Sequence, residues 1–253
     1  MAEQILPVLR DRPLSVVRIR PGQPAFMQKN LPGYTPEWVA RAPIWAEASR
    51  REIAYALCND RRTLLWFANQ RAVEYHVTLF RMASPDRPDH LVLDLDPPEG
   101  AGFEVVVEAA RLVRQALTEA GLSAAVKTSG GKVFLDSTRA GGATVVAAYS
   151  PRIRAGVPVS FPVAWEDLDR VSPADFTVTS VPGRLGRGDP WAESMPEPQR
   201  LSADLVAEGH RIPVARVQAM HEASAGRGPR GGTPPTGDLR SSLPQDGCGP
   251  LPV

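Results

Sequence analysis

The stretch His90-Leu91-Val92-Leu93-Asp94-Leu95-Asp96-Pro97-Pro98 is a β-type apolar run that ends in two carboxylates spaced two apart. Side chains at i and i+2 of a strand share a face. Asp94 and Asp96 are therefore expected to project together from the strand end, and Pro97 stops further pairing. Two neighbouring carboxylates repel unless a cation lies between them, and hard oxygen donors suit Mg²⁺ or Mn²⁺. The plain alternative is a strand end with solvated acids before a turn.

The residues downstream favour the chemical reading. Residues 101–120 carry Phe103, Val106, Ala110, Val113 and Leu117 at helical spacing. Ala125-Val126-Lys127-Thr128-Ser129-Gly130-Gly131-Lys132 then reads as a short strand entering a small, basic turn. Free backbone N–H groups, two hydroxyls and lysine are what a triphosphate needs. That makes Ser129, Gly130 and Lys132 candidate nucleotide-binding residues. Val133-Phe134-Leu135-Asp136 is another apolar run closed by an acid. Acid pair, phosphate-type loop and third acid are the kit of two-metal nucleotidyl transfer. Asp94, Asp96 and Asp136 are the candidate catalytic residues and ligands of two Mn²⁺ or Mg²⁺ ions.

At this point the chain resembles a known family. Arg12-Pro13-Leu14-Ser15, Phe26-Met27-Gln28-Lys29, Thr63-Leu64-Leu65-Trp66-Phe67-Ala68-Asn69 and Val73-Glu74-Tyr75-His76 come first. Leu93-Asp94-Leu95-Asp96-Pro97, Lys127-Thr128-Ser129-Gly130 and Lys132-Val133-Phe134-Leu135-Asp136 follow. Ala148-Tyr149-Ser150-Pro151-Arg152 and Asp175-Phe176-Thr177 close the series. In this order they resemble the polymerase domain of bacterial DNA ligase D, in the archaeo-eukaryotic primase superfamily. The resemblance implies an α/β (α+β) primase-polymerase-like mixed sheet with flanking helices. It implies addition of nucleotides, preferably ribonucleotides, to DNA 3′ ends in non-homologous end joining, with Mn²⁺ favoured. By motif, His76 matches the family's active-site histidine and Ser129 touches the incoming NTP or dNTP. Arg139 and Arg152 lie near the nucleotide, and Lys29 is a DNA-binding residue. DNA ends or gapped duplex are the implied partners, with Ku and a separate ligase beside them.

The departures from the family pattern are specific. The family carries a longer segment between its Thr-Ser-Gly loop and its third aspartate, including a second histidine. Here Gly131-Lys132 satisfies both ends of that segment, which reads as an internal deletion. The chain also starts near the end of the family's N-terminal helix. Asn30 stands where the family has His, and Arg71 where it has Gly. Removing a strand and a helix bares apolar surface at about 25 cal/mol per Å². One repair is a hairpin through Gly130-Gly131, pairing residues 133–136 with residues 125–127.

Composition bounds the rest. The 253 residues with 43% apolar content suffice for one real core. Cys58 and Cys248 form neither a disulfide framework nor a zinc pattern. No apolar run reaches membrane-span length, and no signal-type core opens the chain, so a cytoplasmic location is expected. The net charge of +1 does not mark a nucleic-acid binder. Lys29, Lys127 and Lys132 are the only lysines among 29 basic residues, and all three fall in or beside family motifs.

Strands are expected at 14–19, 26–29, 53–58, 73–79 and 144–148. Residues 36–51 read as a surface connector, 63–69 as a helix and 165–168 as a helical turn. Residues 201–209 and 213–223 also read as helices. A polymerase domain over 1–223 is followed by a disordered Gly/Pro-rich tail over 224–253. His90 reads as a loop residue and Tyr149 as a packing residue. No lysine sits in a Lys-x-Asp-Gly setting, so ligation is not expected. Two further readings stand beside the nucleotidyltransferase. One is an inactive remnant that at most binds DNA or a repair partner. The other is a phosphotransferase of haloacid dehalogenase type, disfavoured by Pro98 where a hydroxyl residue is wanted.

Overall fold

The computed structural model describes residues 1–46, 50–95, 100–129, 136–137, 144–186 and 188–212, with the backbone alone at 136–137. Two units are distinguished, Met1–Ser202 and Ala203–Val253. In the second, helix Ala203–Gly209 is the described element. The expected helix at 213–223, the boundary at 223/224 and the tail lie outside the described residues.

The first unit opens with α1 (Ala2–Leu9), β1 (Pro13–Arg20) and β2 (Gln23–Gln28). It continues through β3 (Arg41–Ala46), β4 (Arg51–Leu57), α2 (Arg61–Asn69) and β5 (Ala72–Thr78). After β6 (Leu93–Asp94) come α3 (Phe103–Glu119), β7 (Val126–Lys127), β8 (Asp136–Ser137), β9 (Thr144–Val146) and β10 (Pro162–Val163). Two 3₁₀ turns, Trp165–Arg170 and Pro173–Asp175, and the short helices α4 (Val181–Arg184) and α5 (Pro190–Ser194) complete it.

The main sheet runs β3-β4-β1-β5-β9, with β2 also on β1. The α+β class expected from the sequence stands; the sheet, expected to be mixed, is antiparallel in every described ladder. The β1–β2 hairpin turns at Gly22, whose φ of 70° is open to glycine without steric cost. Leu14, Val16, Tyr75 and Val77 join Leu9 of α1 and Leu64 and Phe67 of α2 in one buried cluster. Asp60 starts α2 by accepting from the Thr63 N–H at 2.8 Å.

Two expectations change. The connector expected at 36–51 contains β3, which pairs with β4 from Arg41↔Ala56 to Ala46↔Arg51. It is an edge strand with Ala42, Ile44 and Ala46 turned inward, but the exposed Pro43 and Trp45 between them hide that alternation in the sequence. The strand expected from His90 shrinks to Leu93–Asp94, because β8 is its described partner and matches only two residues. The hairpin expected through Gly130-Gly131 rests on residues 130–135, which lie outside the described residues. β7 pairs with β10, and Asp136 lies opposite Asp94.

The two departures from the family pattern acquire structural meaning. Asn30 Oδ1 accepts from the Ala54 N–H at 2.9 Å and ties the end of β2 to β4. Arg71 has φ 62°, in the left-handed region where a Cβ costs roughly 1–2 kcal/mol. It turns the chain between α2 and β5, and its side chain is exposed. Arg71→Gly is therefore expected to raise stability by about 1 kcal/mol in urea unfolding. An unchanged midpoint would show that the arginine side chain offsets its own strain.

The connection from β5 to β6 is fastened at one point. Arg12, 3% exposed, donates to the Thr78 carbonyl at 3.1 Å and to Asp89 Oδ2 at 2.5 Å. Arg81 Nε reaches the same carboxylate oxygen at 3.1 Å, and the His90 ring lies 2.7 Å from Oδ1. His90 thus sits in a loop as expected, within an ion cluster that anchors the approach to Asp94.

Candidate functional site

The site is built on one face of β5. Glu74 and His76 lie two apart on this strand and share a face. Glu74 Oε2 stands 2.9 Å from His76 Nε2 and 3.3 Å from Arg152 Nε, and Oε1 accepts from the Ile153 N–H at 2.7 Å. The two side chains are 9% and 12% exposed, so this is a nearly dry cluster. Burial pushes the Glu74 carboxyl up. The hydrogen bonds from His76 and Ile153 and the Arg152 charge outweigh it and hold the group at about 2.

Arg152 connects this cluster to the phosphate-type loop, donating from Nη1 to the Ser129 carbonyl at 2.5 Å. Lys127 Nζ donates to Ser160 Oγ at 3.0 Å, and Ser160 Oγ donates to the Thr128 carbonyl at 2.8 Å. Burial lowers Lys127 to about 8; the Asp94 charge opposes that shift and the Arg152 charge adds to it. Asp94 is exposed at the end of β6 and lies opposite Asp136 in the β6–β8 register.

The expected residues are thus partly brought together. His76, Ser129 and Arg152 meet directly or through Glu74, and Asp94 stands within electrostatic reach of Lys127 and Asp136 in register with it. Lys29 is exposed one residue past the β1–β2 ladder, which ends at Val16↔Gln28. Asp96, Gly130, Lys132 and Arg139 lie outside the described residues, as does the side chain of Asp136. One of the two loop hydroxyls is spent internally. Thr128, 6% exposed, donates toward the Val159 and Phe161 carbonyls and accepts from the Phe161 N–H.

Glu74, Lys127 and Ser160 were not singled out as site residues by motif. The signal for Glu74 was present: an acid two before a histidine on an otherwise apolar strand. Ser160 had none, because its partners are more than thirty residues away in sequence.

The segment carrying Arg152 is itself pinned. Tyr149 is fully buried with φ 67°. Its hydroxyl donates to Asp189 Oδ1 at 2.5 Å and accepts from the Trp191 N–H at 3.0 Å. Ser150 Oγ accepts from the Tyr75 N–H at 2.8 Å, locking the segment against β5.

Two depressed carboxyls make stability depend on acid. Glu74 and Asp89 are both held at about 2 against ordinary values of 4.5 and 3.8. Burial raises Asp89, but Arg12 and His90 outweigh it. A depressed folded-state value adds stability above the unfolded value and loses it as pH falls through the folded one. Stability is therefore expected to decline from about pH 4.5 toward pH 2. Glu74→Gln should flatten its share of that decline in urea melts at stepped pH. A wild-type and variant pair with parallel profiles would contradict the assignment.

As to metal ions, the donor set fits. Asp94 and Asp136 are carboxylate donors at opposed register positions, and like charges placed so destabilise a ladder without a counter-charge. Hard oxygen donors of that kind suit Mg²⁺ or Mn²⁺. Among the described residues no set of three His, Cys, Asp or Glu side chains forms a metal cluster. No helix among them is long and apolar enough to cross a membrane.

Comparison with known proteins bears on the same segments. The model of the LigD primase-polymerase domain matches residues 1–132 and 131–191, two pieces that share Gly131 and Lys132. That junction is where the sequence marks an internal deletion. The multifunctional non-homologous end joining protein LigD of Pseudomonas aeruginosa is 30% identical over 264 residues, covering 81% of this chain. The bifunctional LigD of Bacillus subtilis is 36% identical over 134 residues, 52% of this chain. The chain spans 31% and 21% of the length of these relatives. The solved polymerase domain of Mycobacterium tuberculosis Ligase D in complex with DNA is similar with a TM-score of 0.67 and 28% identity. That likeness covers 77% of this chain and 88% of the other. With most of the first unit matched in sequence and in fold, the chain belongs to the LigD primase-polymerase domain family.

Proposed function

We propose that this chain is a nucleotidyltransferase of the LigD polymerase type, adding nucleotides, ribonucleotides by preference, to DNA 3′ ends in non-homologous end joining. The observation that carries the reading is the opposed register of Asp94 and Asp136, with the Lys127, Arg152 and His76 cluster beside it. In the reaction the 3′ oxygen forms a bond to the α-phosphorus of the triphosphate, and the α–β bridging bond breaks to release pyrophosphate. Asp94, Asp96 and Asp136 would hold two divalent ions, Mn²⁺ or Mg²⁺, which when bound favour ionisation of the 3′-hydroxyl and neutralise the departing charge.

The protein's own groups supply the rest. Arg152 and Lys127 place positive charge beside the loop that would hold the triphosphate, in surroundings where water screens little. Ser129 and the backbone of Gly130 and Gly131 would hold phosphate oxygens, with Lys132 offsetting charge. Lys29 and His76 would contact the DNA and the nucleotide, and Arg139 would add charge near the latter. The DNA in the related solved complex supports a DNA end or gapped duplex as the partner. The end-joining names of the relatives support work alongside Ku and a separate ligase.

The test is extension of a gapped duplex with ribonucleotides and Mn²⁺. Time-dependent addition of nucleotides is expected. One observation favours a second reading, an inactive remnant that binds DNA or a repair partner: the family model matches in two pieces that meet at Gly131-Lys132, where a segment of the family is missing. A folded protein that shifts the duplex in a binding assay but adds nothing would establish that reading instead.

A further inference from the structure

We infer that Glu74 is a positioning residue for the nucleotide site: it keeps the proton of His76 on Nε2, leaving Nδ1 as an acceptor for a sugar hydroxyl or base N–H of a bound nucleoside triphosphate, and it orients Arg152 toward the phosphates of the same ligand. The inference deepens the proposed nucleotide site and rests on that reading. A carboxylate only accepts hydrogen bonds. Glu74 is ionised at neutral pH, so the ring nitrogen 2.9 Å from Oε2 must carry the hydrogen. Its other oxygen is committed to the Ile153 N–H, and Arg152 Nε lies 3.3 Å from Oε2. Three elements of the site thus converge on one carboxylate: β5, the backbone at Ile153 and the guanidinium that reaches Ser129.

The charged and titratable groups near this cluster are Arg152, Lys127 and, through Lys127, Asp94. Ser15 lies opposite His76 on β1, with a buried hydroxyl that has no hydrogen-bond partner among the described residues. None of these is an acceptor charge that competes with Glu74 for the ring at hydrogen-bond distance.

Glutamine at position 74 would break the arrangement without changing shape. Its single oxygen can serve Ile153 or His76, and its amide then offers a donor to the other donor. If the oxygen stays on the backbone N–H, the amide drives His76 toward the Nδ1–H tautomer.

The test is ¹⁵N NMR of the histidine side chains in the full chain, with His76 assigned by its loss in His76→Asn. In wild type at neutral or higher pH, the neutral ring should carry its proton on Nε2. Titration with ATP should then move the Nδ1 resonance and leave Nε2 in place. Glu74→Gln should disturb the tautomer and weaken ATP binding by about tenfold, the lower end for residues that orient a ligand-holding histidine. A wild-type ring protonated on Nδ1 overturns the proposal without any variant having to fold. An ATP titration that shifts Nε2 but not Nδ1, or neither, overturns it too. Failure of DNA extension with the tautomer and ATP shifts intact would count against the nucleotidyltransferase reading and support the positioning role.

Discussion

Asp94→Ala is expected to lower nucleotide addition by about a hundred- to a thousandfold while leaving DNA affinity nearly unchanged. Asp94 stands exposed at the end of β6, opposite Asp136 and within the electrostatic field of Lys127. Its carboxylate is exposed and, among the described residues, has no hydrogen bond or ion pair of the kind that holds Glu74 or Asp89. Its removal therefore costs little stability, since exposed substitutions away from caps and buried networks stay within about 0.5 kcal/mol. It does remove negative charge from the place where divalent ions would be held. DNA affinity comes mainly from cations meeting phosphates, and Lys29, Arg152 and Lys127 are untouched. The measurement is extension of a gapped duplex with ribonucleotides and Mn²⁺, alongside a binding titration of the same duplex. Asp136→Ala should behave alike. Equal extension by wild type and Asp94→Ala would remove β6 from the site.

The second large effect lies at Tyr149. Tyr149→Ala should destabilise the domain by about 3–5 kcal/mol, the range for deleting a fully buried ring. The ring meets Phe161 edge-on at 6.0 Å, and Phe161 stacks on Phe176 at 4.8 Å, so the cavity opens inside an aromatic cluster. Tyr149→Phe should cost about 1 kcal/mol, because the Trp191 N–H retains Asp189 Oδ1 as an acceptor at 3.1 Å. Tyr149→Gly should be less damaging than Tyr149→Ala by about 1 kcal/mol, since φ is 67° and glycine accepts that conformation. Urea unfolding reads all three as midpoint shifts at constant slope. Alanine within about 1 kcal/mol of wild type would mean that the core closes over the cavity. The loss also reaches function, because Ser150, Arg152 and Ile153 follow directly on Tyr149 and carry the contacts to β5 and the loop.

Much of this fold is legible in the chain without coordinates of any kind. The alternation of Leu14, Val16 and Arg18, closed by Pro21-Gly22, specifies the β1–β2 hairpin because its pairing is local. Residues 63–69 read as the helix that is α2, and the 3.6-residue spacing of Val106, Ala110, Val113 and Leu117 specifies α3. The order of the acid pair, the Thr-Ser-Gly loop and the third acid marked the family, and the shared Gly131-Lys132 marked where a segment is gone.

What tertiary structure alone decided are the pairings between residues far apart in the chain. β3 is a strand because β4 stands beside it, and Pro43 and Trp45 hide its alternation in the sequence. Glu74 is a buried, ionised anchor because Arg152 and Ile153 arrive from nearly eighty residues away. The Thr128 hydroxyl is unavailable to a ligand because Val159 and Phe161 take it. Asp136 lies opposite Asp94, and β7 pairs with β10 more than thirty residues on. The physical reason is common to all four. Turns, caps and periodicity are set by neighbours within a few residues. The protonation, burial and register of a polar group depend on partners that only the folded chain brings near.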